Sequence, residues 1–143
     1  MAIDPGKRGG VAWGENEPYA LAMPDTVHEF AQLVSKIKPK EVWIEKVHTS
    51  PQMGVVSAGT FMKGVGQLEG VCAAYLLPIH EVTPQKWMRY FELGKKKDSA
   101  TITDWKKKLK TLAAKLFPKS KPTLETADAI LIWEYVRRSH NLS

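Results

Sequence analysis

Ile3-Asp4-Pro5-Gly6-Lys7-Arg8-Gly9-Gly10-Val11-Ala12-Trp13-Gly14 opens the chain and decides its architecture. A first apolar run ends in an acid and a Pro-Gly turn. A second apolar run follows, bounded by glycines. Proline presets φ and glycine supplies conformations that other residues avoid, so the stretch reads as strand, turn, strand. Glu15-Asn16-Glu17-Pro18 makes another turn, and a third strand runs from Tyr19 to Met23. Turns this short join antiparallel neighbours, which predicts a three-strand meander.

Helical periodicity starts next. Thr26 and Glu29 have capping-box spacing, and Val27, Phe30, Leu33, Val34 and Ile37 share one face before Pro39. Glu41 to Val47 reads as a strand around Val42-Trp43-Ile44. A strand reached through a helix is expected to lie parallel in the sheet interior. His48 to Val56 is a loop. A helix over 57–77 carries the stripe Phe61, Val65, Leu68, Cys72, Tyr75 and Leu76. Its glycines, Gly59, Gly64, Gly66 and Gly70, predict close backbone packing against the sheet or a partner subunit, because each costs about 1 kcal/mol relative to alanine.

The remainder reads as a strand over 79–82, a short helix over 84–91, a lysine-bearing loop over 94–100, a helix over 103–117 and a last helix over 123–138. The fold class is therefore α/β. Three antiparallel strands and two parallel ones form a mixed sheet, with helices on both faces. No repeat or linker divides residues 1–143, so one domain is expected.

Composition limits the function. Apolar residues make up 43% and charged residues 25%, ordinary for a globular chain. The lone Cys72 excludes an internal disulfide and a cysteine-based zinc site. His28, His48, His80 and His140 lack ligand-like spacing. No apolar stretch approaches the ~20 residues that span a bilayer, and no secretory signal is visible. The protein is expected inside the cell, with no membrane partner. Net charge is +6, but Lys86 to Lys121 alone holds 12 Lys/Arg against 3 Asp/Glu. A concentration of this kind reads either as a phosphate-binding face or as a solvated helix surface.

Four acids stand out against this background. Asp4 and Glu45 each end a predicted strand. If those strands are adjacent and parallel, both acids lie at the sheet edge where open α/β sheets bind ligands. Glu125 and Asp128, at i and i+3, are expected on one helix face in Leu124-Glu125-Thr126-Ala127-Asp128-Ala129-Ile130-Leu131. Each has a bland explanation: Asp4 as a turn former, Glu125 as a complement to the helix dipole, Glu45 as a partner for Lys46. Asp128 is the hardest to dismiss, since a charge amid Ala, Ile and Leu is costly unless offset. Carboxylates that converge repel one another, and hard divalent cations relieve that repulsion. Two Mg²⁺ ions about 4 Å apart, or Mn²⁺ in their place, suit phosphodiester hydrolysis.

Ile3-Asp4-Pro5-Gly6 with its glycine-rich strand, Ile44-Glu45-Lys46-Val47 and Glu125-Thr126-Ala127-Asp128-Ala129 together resemble the RuvC family of Holliday-junction resolvases, which have a ribonuclease H-like fold. The element order agrees over nearly the whole chain. The resemblance implies a catalytic, metal-binding tetrad of Asp4, Glu45, Glu125 and Asp128. It also implies a homodimer through helix 57–77, and symmetric nicks in branched DNA that leave 5′-phosphate and 3′-hydroxyl ends. Lys86, Arg89, Lys95, Lys96 and Lys97 are expected near the cleaved strand. Lys106, Lys107 and Lys110 are expected on a duplex arm. The family usually places an aromatic residue shortly after the second acid; here His48 is the candidate to stack on a base. Glu125 stands where Asp or His is common. Only three residues precede Asp4, which predicts a short central strand.

Two other readings compete. A non-catalytic nucleic-acid-binding module of the same fold would be expected to have lost one of the acids. A sugar-kinase or actin-type phosphotransferase opens with a similar Asp-x-Gly strand but needs two lobes around ATP, and 143 residues supply one.

Overall fold

A computed structural model describes residues 1–140. Its elements are β1 (Ala2–Asp4), β2 (Gly10–Trp13), β3 (Tyr19–Ala22), α1 (Val27–Ile37), β4 (Val42–Glu45), α2 (Val55–Ala74), β5 (Ile79–Val82), α3 (Pro84–Tyr90), α4 (Ile102–Leu116) and α5 (Ala127–Ser139). Short 3-10 turns at Lys96–Asp98 and Pro118–Ser120 flank α4. The five strands form one sheet in the order β3-β2-β1-β4-β5. β1 pairs antiparallel with β2 and parallel with β4, so the expected meander and parallel pair meet at the three-residue β1.

Side chains alternate between the faces of a strand, and this sorts the core. Ile3, Val11, Val42 and Ile44 point to one face and pack with Phe30, Val34, Val65, Leu68 and Cys72 from α1 and α2. Ala2, Ala12 and Val82 point to the other and pack with α3, α4 and α5. Asp4 lies two residues beyond Ala2, and Glu45 two beyond Trp43, so both acids face α5. Ala2 pairs with Trp43 and Ile3 with Ile44. One step further along both strands come Asp4 and Glu45, side by side at the carboxyl edge.

Thr26 accepts from the Glu29 backbone N–H at 3.1 Å, the expected start of α1. α2 differs from expectation at both ends. It begins at Val55 and stops at Ala74, because Leu76 takes a left-handed conformation (φ 57°) and the Leu77 N–H closes back on the Cys72 carbonyl at 3.0 Å. Tyr75 and Leu76 therefore leave the stripe and are exposed, Leu76 by 89%. The helix glycines do not pack on the sheet: among the described residues, a Cβ at Gly59, Gly64, Gly66 or Gly70 would meet nothing within 4 Å outside the helix's own backbone. Phe61 anchors the helix instead, its ring lying 3.2 Å from where a Cβ would sit on Gly6, which holds φ +107° in the turn after β1.

Among the described residues, no helix is long and apolar enough to cross a membrane.

Gly10 pairs with Asp4 across the meander. A Cβ there would lie 2.7 Å from the Glu125 carbonyl oxygen and 3.0 Å from the Leu21 carbonyl oxygen. The missing side chain lets the turn before α5 settle onto β2. Gly10→Ala is expected to destabilise the protein by about 1–3 kcal/mol, as overpacking does. Urea denaturation checks this; an unchanged midpoint would show that the turn moves freely.

Candidate active site

α5 is the element that completes the site. Nearly all of it is buried: Ala127, Ala129, Ile130, Leu131 and Ile132 have no exposure, and Trp133 and Val136 little. It lies across β1 and β2 and against α4. Its first turn carries Asp128 over the edge where Asp4 and Glu45 end their strands. The three carboxylate residues are 7% (Asp4), 8% (Glu45) and 6% (Asp128) exposed.

Glu125 is placed differently from expectation. It is exposed and lies in the turn before α5, not on the helix. Thr123 and Thr126 account for this. The Thr123 N–H donates to the Thr126 hydroxyl at 2.8 Å, and the Thr126 N–H donates to the Thr123 hydroxyl at 3.2 Å. Threonine hydroxyls compete in this way with helical hydrogen bonding. The regular helix begins only at Ala127.

Each buried acid has a different neighbourhood. Lys106, from α4, places its ammonium 3.3 Å from Asp128 Oδ1. Trp87, from α3, donates its indole N–H to Glu45 Oε2 at 2.7 Å. Lys46, a candidate partner for Glu45, instead reaches Glu81 at 3.9 Å on the surface. Burial, reinforced by repulsion from Asp128 and Glu45, holds the Asp4 carboxyl well above the usual carboxylate range. Burial likewise pushes Glu45 up to about 7, opposed by the Trp87 hydrogen bond. Asp128 is raised by burial and pulled back by Lys106. Burial would lower the Lys106 pKa, but Asp128 and Asp4 more than reverse that and raise it. The charge of Lys96 also acts on all three acids.

The basic residues divide accordingly. Lys106 turns into the acid cluster, and Lys96 stands within electrostatic reach of it. Lys86, Arg89, Lys95, Lys97, Lys107, Lys110 and His48 are exposed. Trp87 was not recognisable as a site residue, because a tryptophan within Gln85-Lys86-Trp87-Met88 reads as core; a strand-end acid lacking a cationic partner is the only hint.

The site is rich in oxygen donors, and its acids are repelled and desolvated with few positive charges to compensate. In donor chemistry this fits a hard divalent cation. Among the described residues, no group of three or more His, Cys, Asp or Glu side chains is arranged to hold a metal ion as it stands. The Lys106 ammonium and the Trp87 N–H are the groups now bonded to Asp128 and Glu45.

Comparison with solved structures places this fold in a known architecture. The chain matches Thermus thermophilus RuvC in complex with a Holliday junction substrate, with a TM-score of 0.59, 14% identity, and coverage of 95% of this chain and 92% of that one. A second structure of Thermus thermophilus RuvC matches with a TM-score of 0.57 and 14% identity over 96% of this chain and 94% of that one. The fold is that of RuvC. No family model matches the chain, and no curated protein does. The mixed sheet expected from the meander, and the ribonuclease H-like fold implied by the resemblance, are thus the observed ones, shared with RuvC at low sequence identity.

The raised acids set a pH dependence. Glu45 has an ordinary value of 4.5 and a folded value of about 7, so the folded state binds more protons between them. Its contribution is full below 4.5 and is lost as pH rises through about 7. In chelator, wild type should therefore lose stability relative to Glu45→Gln between pH 4.5 and 8, by on the order of 3 kcal/mol. Urea midpoints across that range test this; parallel curves for the two proteins would contradict it.

Proposed function

We propose that this chain is a Mg²⁺-dependent endonuclease that cuts branched DNA, with four-way junctions as the leading substrate. The observation that carries the proposal is the convergence of Asp4, Glu45 and Asp128, all buried, at the carboxyl edge of a RuvC-like sheet. Stability alone does not account for three buried carboxylates beside one paired lysine.

Asp4, Glu45 and Asp128 would hold two Mg²⁺ ions, or Mn²⁺, with Glu125 reaching in from its exposed turn. When bound, such ions activate water and stabilise the leaving oxygen in phosphodiester hydrolysis. The bond between phosphorus and the 3′ oxygen breaks, leaving 5′-phosphate and 3′-hydroxyl ends. Lys106 and Lys96 place positive charge beside the acids, where a scissile phosphate is drawn in. Lys86, Arg89, Lys95, Lys97, Lys107 and Lys110 hold the backbone without reading bases, so binding should weaken steeply with salt. His48, exposed in the loop after β4, is available to stack at an opened junction.

The chain works as a homodimer in this reading. α2 supports it with exposed Val55, Val56 and Met62, and with glycines whose added Cβ would meet no other described element within 4 Å. Two symmetry-related sites suit paired nicks across a junction.

The test compares Mg²⁺-dependent cleavage of a four-way junction, a flap and a linear duplex. The junction should be cut best. Asp128→Asn should slow cutting roughly a hundredfold or more, the scale of losing an electrostatic contribution to the transition state. Unchanged cutting by Asp128→Asn would remove the proposed site. Equal cutting of the three DNAs would remove the junction preference and leave a nuclease.

A further inference from the structure

Trp87 makes a contact that core packing does not explain. Thr83 caps α3, and Pro84 occupies its first turn. Glu45 pairs with Val82 at the end of β5, and α3 begins two residues later. The chain therefore turns back beside Glu45 and brings the Trp87 ring over it. That ring is fully buried, in the core formed with Leu93, Trp105 and α5. Its one polar atom is a donor with no acceptor capacity. An apolar side chain there would bring no polar atom to satisfy. The indole N–H spends its single bond on Glu45 Oε2, at 2.7 Å.

The consequence for Glu45 is orientational. A carboxylate on a two-carbon arm turns freely unless something fixes it. Here one oxygen is fixed, and Oε1 remains for a cation. We propose that Trp87 is a positioning residue, whose indole N–H holds the Glu45 carboxylate in the orientation that accepts a divalent metal ion. This rests on the reading of Glu45 as a metal ligand. Groups that orient metal ligands commonly govern affinity as strongly as some ligands do.

Titration calorimetry with Mg²⁺ alone, on the full chain without DNA, tests it in four proteins: wild type, Trp87→Phe, Glu45→Ala and the double variant. Trp87→Phe keeps an aromatic ring in the core and removes only the N–H and part of the ring. It should weaken Mg²⁺ binding roughly tenfold, the scale for losing such a support. In the Glu45→Ala background the same change should have no further effect. If Glu45→Ala alone leaves Mg²⁺ binding unchanged, Glu45 is not a ligand and both readings fall. If Glu45→Ala weakens binding but Trp87→Phe does not, or does so equally in both backgrounds, only the positioning role falls. Should Trp87→Phe not fold, the indole N–H resonance of Trp87 decides in proteins that retain the tryptophan. It should move markedly between wild type and Glu45→Ala, and an unmoved resonance would overturn the proposal.

Discussion

Three carboxylates share one buried edge of the sheet, and the rest of the molecule is organised around that electrostatic problem. Taking an ionised group out of water is costly unless it is paired and hydrogen-bonded. Here Lys106 pairs with Asp128, and Trp87 donates to Glu45. Burial raises all three acids, and for Asp4 and Glu45 the neighbouring carboxylates add to it, so the acids hold their protons to higher pH. A fold selected for stability alone would place apolar groups there.

The scaffold holds this arrangement from several directions. Alternation along β1 and β4 sends Asp4 and Glu45 to the α5 face while Ile3 and Ile44 fill the other. Gly10 leaves room for the turn before α5, and the Thr123–Thr126 pair fixes where that helix starts. α5 is so thoroughly buried that Asp128 has little freedom to move away. Even Glu134, fully buried further along α5, has its charge met by Arg137 and Arg138. Cys72, on the far face, takes no part: burial pushes its thiol up to about 11, so it stays protonated.

Much of this was legible in the residues themselves. Pro5-Gly6 and the glycine-bounded strand announce the meander. Acids that end apolar runs point to a candidate site, and Asp128 amid alanine, isoleucine and leucine is the hardest of them to dismiss. Helical spacing extends back through Thr123 and predicts Glu125 on the helix, while the hydroxyls that break the pattern act through hydrogen bonds that spacing does not encode. Trp87 and the inward turn of Lys106 were hidden for a similar reason. A tryptophan on a short helix reads as core, and lysine on a lysine-rich helix reads as a solvated face. The α2 glycines could be recognised as unusual, but not that the sheet would leave them uncovered.

If these acids form a cation site, Mn²⁺ binds there without DNA. Anomalous diffraction from crystals grown with Mn²⁺ tests it directly. The expected map shows manganese held by Asp4, Glu45 and Asp128, with the Lys106 ammonium withdrawn from Asp128. Crystals in which the Lys106–Asp128 pair persists, with manganese absent from this edge, would contradict it.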